Sequence, residues 1–164
     1  LQAGSEDSGD WEYGLPGNDK RPPAAETVAT DALRNRYVRD PAYDLGQFDM
    51  VRDRQIIYER GMAGDVVDDD FGRFRARGAK LLVWQGWNDA ITRANVLVDY
   101  YRQVSVRMGD PRDFFRVFMM PGVAHCGRGT GPSEADFVGP LIDWVERGNA
   151  PDRINASNLS LIHI

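Results

Sequence analysis

One cysteine, Cys126, and two histidines, His125 and His163, are all that this 164-residue chain holds of those residue types. A single thiol cannot make an internal disulfide. Cys126 is left as a buried thiol, or as half of a bridge to a cysteine outside this chain. No apolar run approaches the roughly 20 residues of a membrane span, so no membrane partner is expected. A basic block is missing too: 20 lysines and arginines are mixed with 25 acids, for a net charge of −5. Nucleic acid as the main partner would favour a clustered basic face, so that partner is not expected either. No signal peptide stands at the front, and the chain starts at Leu1 rather than Met, so its native start is expected further upstream.

What is present is ordinary globular material, 42% hydrophobic and 27% charged, in a length that allows one domain with a core. From Leu1 to about Ala25 the chain is rich in Gly, Pro, Ser and Asp and reads as irregular. Between Thr27 and Met50 polarity stays high, while Tyr37, Tyr43 and Phe48 recur and Asp40-Pro41 marks a break. A helix is expected over Phe48 to Tyr58, then a loop from Gly61 that ends in Asp68-Asp69-Asp70. That acidic run reads as solvated surface, because nothing with metal-ligand spacing surrounds it.

From Phe71 the pattern sharpens. Phe71 to Arg77 suggests a short helical turn before Gly78. The continuous apolar run Lys80 to Gln85 suggests a strand buried on both faces, as in a parallel sheet. Arg93 to Met108 has helical spacing, with Thr92 as N-cap and Gly109 as stop. Phe114 to Met119 suggests a second strand, followed by a glycine-rich loop from Pro121 to Pro132. Ser133 with Asp136 resembles a capping box before a helix ending at Gly148, and Gly139-Pro140 is expected to kink that helix. Strand, helix, strand, helix implies βαβ units and an α/β fold. The loops after both strands then share one edge of the sheet, where open α/β sheets build their sites.

Asp89 and His125 lie in those two loops. A serine hydroxyl needs an imidazole to take its proton, and the imidazole needs a carboxylate on its other nitrogen. In hydrolases of the α/β type the chain order is Ser, acid, His, and Asp89 and His125 fit the last two places. The first place is empty: only Ser5 and Ser8 precede Asp89, neither in a Gly-x-Ser-x-Gly context. On spacing alone, Asp89 reads equally well as a helix-capping acid and His125 as a hydrogen-bonded loop histidine. A Cys126 nucleophile activated by His125 is a rival reading, but adjacent side chains rarely point at one another.

The residues from Phe74 to Ile154 carry more than spacing. Phe74 to Leu81, Gly86-Trp87-Asn88-Asp89, Asp99-Tyr100-Tyr101, Phe115 to Phe118, Pro121-Gly122-Val123-Ala124-His125-Cys126-Gly127, Asp143 to Glu146 and Ala150 to Ile154 together resemble the tannase and feruloyl esterase family of α/β-hydrolases. The resemblance implies that Asp89 is the triad acid and His125 the triad base. It implies that Cys126 bonds to a cysteine directly before the nucleophilic serine, a partner absent from this chain, and hence an oxidising, secreted or periplasmic setting. Many members have His where Gln85 stands, and the loop Gly127 to Pro132 carries Arg128 and Thr130 where glycine and proline are commoner. The family's metal, where present, is a calcium in the lid domain, and no motif for it is found here; no other cofactor is expected.

The expectation is therefore the C-terminal part of an α/β-hydrolase fold, a parallel sheet with flanking helices, incomplete. Residues 1–50 are expected to be an irregular segment ending the lid domain, and 51–154 the C-terminal part of the catalytic domain. The tail 155–164 ends in Leu159-Ser160-Leu161-Ile162-His163-Ile164, which matches an in-frame read of a common sequencing adapter, so His163 carries no argument. Asn155-Ala156-Ser157 matches a glycosylation acceptor at that same end. The expected function is a serine carboxylesterase acting on hydroxycinnamoyl or galloyl-type aromatic esters. Its partners are that small-molecule ester and the remainder of its own catalytic domain. This chain alone is expected to be inactive. The alternatives are another α/β-hydrolase, dienelactone hydrolase or peptidase-like, and a non-catalytic homologue acting as a binding protein. A small α/β domain binding through its acidic loop is a further reading, disfavoured by the His-Cys loop.

Overall fold

A computed structural model describes residues 14–61 and 68–158. They divide into two compact units, residues 14–61 with Asp68, and residues 69–158. Ser5, Ser8, most of the loop after Gly61, and the tail from Leu159 to Ile164 with His163 lie outside the described residues.

The first unit is helical. Helix α1 (Ala24–Ala32) runs on into a π-helical turn (Leu33–Tyr37), and a 3₁₀ turn (Leu45–Gln47) precedes α2 (Arg52–Gly61). The helix expected from Phe48 begins only at Arg52, because the Asp49 carboxylate accepts the Val51 and Arg52 backbone N–H groups and sets the start there. Asp53, 1% exposed, is the buried charge among the described residues of this unit. It accepts from the Tyr43 hydroxyl at 2.6 Å and the Asp49 N–H at 2.9 Å, and pairs with the Arg52 guanidinium at 2.6 Å. The guanidinium, with the Asp49 N–H and the Tyr43 hydroxyl, holds this carboxyl far below the usual carboxylate range.

The second unit is α/β. Its elements are α3 (Gly72–Ala76), β1 (Leu81–Gly86), α4 (Ala94–Met108), β2 (Phe115–Met120), β3 (Glu134–Ala135), α5 (Val138–Arg147) and β4 (Ala156–Ser157). Strands β1 and β2 pair in parallel from Leu81↔Phe115 to Gly86↔Met120, and β3 pairs antiparallel with β4. Both β1 and β2 lie within one residue of the runs expected from sequence. Two parallel neighbours joined through a helix are the βαβ unit that the alternating pattern implied.

One face of the β1–β2 pair buries Val104 of α4 with Phe114 and Phe115, and Phe71, Phe74, Leu81, Val83 and Tyr101 pack against them. Tyr101 meets Phe115 edge-on, with ring centroids 5.1 Å apart. Each phenyl ring fully removed from water stabilises the unit by about 2–3 kcal/mol. Elsewhere Trp84 stacks on Phe137 at 5.1 Å, and Trp144 of α5, 2% exposed, lies under the cations of Lys80 and Arg116.

Three local expectations differ from the structure. Ser133 and Asp136 form no capping box; β3 intervenes, and the Asp136 carboxylate alone accepts the N–H groups of Val138 and Gly139. Pro140 does not break α5, because it falls in the first turn, where its missing N–H has no helical partner to lose. Thr92 is not the N-cap of α4; Arg93 holds that place without a side-chain bond, and the Thr92 hydroxyl is engaged elsewhere. The acidic run is a surface feature: Arg107 pairs with Asp69 at 3.3 Å and with Asp70 at 3.2 Å.

Candidate active site

Parallel pairing sets the C-terminal ends of β1 and β2 side by side, and the two loops that leave them interlock. The Trp87 N–H donates to the Met120 carbonyl at 2.9 Å, and the Asn88 N–H to the Val123 carbonyl at 3.0 Å. Val123 is fully buried and Ala124 nearly so, which anchors the root of the histidine loop. That loop closes on itself through Ala124 N–H to the Arg128 carbonyl at 2.6 Å and Gly131 N–H to the Gly122 carbonyl at 2.9 Å. Gly129 takes φ +95°, with its α-carbon so close to the Gly122 carbonyl that no side chain fits.

Between these loops the structure brings Asp89 and His125 together. The Oδ2 atom of Asp89 lies 3.1 Å from Nδ1 of His125. The Asp89 side chain is 8% exposed and that of His125 35% exposed, so the acid is shielded while the imidazole meets solvent. Asp89 is held from several sides. Its Oδ1 accepts the Ile91 and Thr92 N–H groups at 2.9 and 2.8 Å, and its Oδ2 accepts the Thr92 hydroxyl at 2.5 Å and Gln85 Nε2 at 3.2 Å. Burial pushes the Asp89 carboxyl up, but the bonds from Thr92, His125 and Ile91 outweigh it and leave it below its ordinary value.

An ionised, acceptor-only carboxylate on Nδ1 selects the imidazole tautomer that carries its proton there. The other nitrogen, Nε2, is then an acceptor able to take a proton from a hydroxyl. The arrangement is thus competent as the acid–base half of a nucleophilic site. Cys126 follows His125 directly, is exposed, and sits in the left-handed region at φ 55°. The described serines are Ser105, Ser133 and Ser157, none in a Gly-x-Ser-x-Gly context, and the Ser105 hydroxyl donates to the Tyr101 carbonyl.

A cavity of about 320 Å³ beside the acid is lined by Trp87, Asp89, Arg93, Asn95 and Asp99. A second, of about 260 Å³ and mostly apolar, lies under the base of the histidine loop, between Phe118, Met120, Pro121, Pro132, Phe137 and Ile154. Among the described residues no group of three His, Cys, Asp or Glu side chains is placed to hold a metal ion. Among the described residues, no helix is long and apolar enough to cross a membrane.

Gln85, a departure from the family in the sequence, and Thr92, expected as a helix cap, both bind Asp89, which sequence reasoning did not foresee. An aspartate followed three places later by threonine in a post-strand turn is a local signal for a side-chain-closed turn. Thr92 instead reads most simply as a helix cap. The contact of Gln85 with both residues has no counterpart in the sequence.

Comparison with known proteins agrees with the motif reading. The family model described as tannase and feruloyl esterase matches residues 2–161. The chain is 41% identical over 87 residues to a mono(2-hydroxyethyl) terephthalate hydrolase from Piscinibacter sakaiensis, covering 53% of this chain and 14% of that protein. It is 30% identical over 168 residues to a tannase from Aspergillus oryzae, covering 92% of this chain and 27% of that protein. The crystal structure of feruloyl esterase B from Aspergillus oryzae superposes with a TM-score of 0.67 at 24% identity, covering 90% of this chain and 36% of that one. This chain therefore spans about a third or less of the length of these relatives. The parallel pair with its flanking helices is part of an α/β-hydrolase fold, as expected. The chain belongs to the tannase and feruloyl esterase family.

Proposed function

We propose that this chain is the acid–base part of a serine carboxylesterase that cleaves aromatic esters of the hydroxycinnamoyl or galloyl type. The observation that carries the reading is the 3.1 Å contact of Asp89 with His125 at the C-terminal ends of two adjacent parallel strands. A serine outside the described residues attacks the ester carbonyl, and its proton passes to Nε2 of His125. Asp89 keeps the proton of the neutral ring on Nδ1 and stabilises the imidazolium as it forms. The imidazolium then returns a proton to the leaving alcohol, and an acyl-enzyme results. Water, activated by the same imidazole, releases the acid. The oxyanion donors come mainly from outside this chain.

The aromatic acyl class is supported by relatives named for feruloyl, tannase and terephthalate-ester hydrolysis. In this reading Cys126 is half of a disulfide to a cysteine outside the chain, since the chain has no second one. The bridge ties the histidine loop to the serine turn and places the protein in an oxidising, secreted or periplasmic compartment. Alone, the 164-residue chain lacks its nucleophile and is inactive.

The test is to recover the source coding sequence, express its whole product and assay feruloyl, galloyl and terephthaloyl esters. Hydrolysis that His125→Gln reduces at least about a thousandfold supports the reading. Hydrolysis indifferent to His125→Gln, or ester binding without turnover, sinks it and favours the non-catalytic alternative.

A further inference from the structure

Nε2 of Gln85 lies 2.7 Å from the Thr92 carbonyl oxygen, 2.9 Å from the Thr92 hydroxyl and 3.2 Å from Oδ2 of Asp89. The carbonyl and the ionised carboxylate can only accept, so the amide nitrogen rather than the amide oxygen must face them. An amide nitrogen carries two hydrogens. One goes to the Thr92 carbonyl, and the other is shared between the hydroxyl and the carboxylate. The Thr92 hydroxyl receives from Gln85 and therefore turns its own proton to Asp89, at 2.5 Å.

We infer that Gln85 and Thr92 are positioning residues that form a hydrogen-bond clamp behind the acid: Gln85 donates to the Thr92 hydroxyl, and the Thr92 hydroxyl donates to Asp89 Oδ2, the same oxygen that accepts from His125 Nδ1. Neither touches the reacting atoms; each acts through Asp89. The clamp fixes which lone pair of Oδ2 faces the imidazole. Oδ1 is meanwhile pinned by the Ile91 and Thr92 N–H groups, so the carboxylate cannot rotate away from His125. The Thr92 hydroxyl and Gln85 share Oδ2 with Nδ1, so they act by holding that oxygen in place for the imidazole rather than by strengthening the imidazole's bond. Gln85 is carried on β1 itself, so the clamp is built on the strand that delivers the acid.

This inference rests on the esterase reading for its kinetic consequence, but not for its spectroscopic one. In the whole product, Thr92→Val removes the hydroxyl while keeping shape and backbone bonds, and Thr92→Ser keeps the hydroxyl. The expected result for Thr92→Val is a loss in kcat of about 10- to 100-fold with KM changed by no more than about twofold. The proton signal on Nδ1 of His125, seen by ¹⁵N-edited NMR and assigned by its absence in His125→Gln, should fade in Thr92→Val and return in Thr92→Ser together with activity. Gln85→Met, which keeps chain length and removes the donor, should move both readouts in the same direction, and it carries the test if Thr92→Val fails to fold. Wild-type kcat and an undiminished Nδ1 proton signal in both Thr92→Val and Gln85→Met would overturn the clamp. If His125→Gln leaves hydrolysis intact, the esterase reading falls, while the Nδ1 signal still decides the clamp by itself.

Discussion

Gly86 and Val123 touch so closely that a β-carbon on Gly86 would lie 2.2 Å from the Val123 carbonyl oxygen and 2.8 Å from its carbonyl carbon. Gly86 ends β1 three residues before the acid, and Val123 stands two before the base. The glycine of the Gly-Trp-x-Asp motif thus sets the separation of the two loops, and with it the Asp89–His125 distance. Gly86→Ala must push the Val123 backbone away. Overpacking of this kind costs about 1–3 kcal/mol in stability. A shift of about 1 Å between reacting groups costs roughly 100-fold in rate. Both are expected, read by urea unfolding and by kcat of the whole product. Full activity in Gly86→Ala would show that the contact does not set the pair's geometry.

Asp89→Asn keeps shape and most of the hydrogen bonding but turns an obligate acceptor into a group that can donate to Nδ1. The favoured imidazole tautomer then carries its proton on Nε2, where it blocks acceptance from the serine. A fall in kcat of about 10³- to 10⁴-fold is expected, with KM little changed. The double variant Asp89→Asn/His125→Gln should be no worse than His125→Gln alone, because the two residues act as a unit.

The depressed Asp89 carboxyl makes a signed prediction for pH. Its folded value lies below its ordinary value, so its contribution to stability is fully present above the ordinary value. That contribution is withdrawn as pH falls through the lower folded value. The side-chain carboxyl carbon of Asp89, followed by NMR, should titrate below a model aspartate in the wild type. In Thr92→Val its midpoint should move upward, because two of the groups lowering it are the Thr92 side chain and backbone and only the first is removed. A midpoint unmoved in Thr92→Val would mean the hydroxyl contributes nothing to holding the charge.

Residue patterns alone gave the β1 and β2 boundaries to within a residue, because apolar runs such as Leu81-Leu82-Val83-Trp84 bounded by turn residues have few other solutions. Helix α4 was equally readable from the spacing of Val96, Leu97, Tyr100, Tyr101 and Val104. The meeting of Asp89 and His125 followed from parallel pairing, since both leave the same sheet edge. Caps were less readable. Thr92 had the right chemistry to cap α4 and also to bind Asp89, and only the fold decides between two acceptable partners for one hydroxyl. The partners of Gln85 were unreadable for the same reason: they are determined by the turn at residues 90–93, not by its neighbours on the strand. The shortened start of α2 shows the local case, in which one aspartate, Asp49, outweighs a longer periodic pattern.

The aromatic core predicts a division of labour between stability and chemistry. Phe115 is 1% exposed and meets Phe71, Tyr101 and Phe114. Phe115→Ala leaves a ring-sized void at the start of β2, and a loss of about 3–5 kcal/mol is expected by denaturant unfolding. Phe115 lies at the opposite end of β2 from Met120, where the histidine loop begins. Whatever fraction stays folded should therefore keep near-normal kcat. A large loss of kcat per folded molecule would mean that the core also tunes the site.

Cys126 makes the last prediction, because its exposure and backbone are at odds with a purely structural thiol. Free cysteines are most often buried, and a non-glycine residue in the left-handed region pays a strain of about 1–3 kcal/mol. Cys126 is exposed at φ 55°, a conformation that Gly127 beside it, at φ 81°, adopts without cost. A bridge to a cysteine outside this chain would account for both features. In the whole product, mild reductant and Cys126→Ala should each lower stability by about 2–4 kcal/mol, and reductant should have no further effect on Cys126→Ala. Mass spectrometry of the unreduced product should find Cys126 joined to a second cysteine peptide. Recovery of Cys126 as a free thiol in oxidatively folded, active protein would remove the bridge, and with it the argument for an oxidising compartment. The Asp89–His125 contact and the bonds from Gln85, Ile91 and Thr92 that hold Asp89 do not involve the sulfur, so this arrangement would stand.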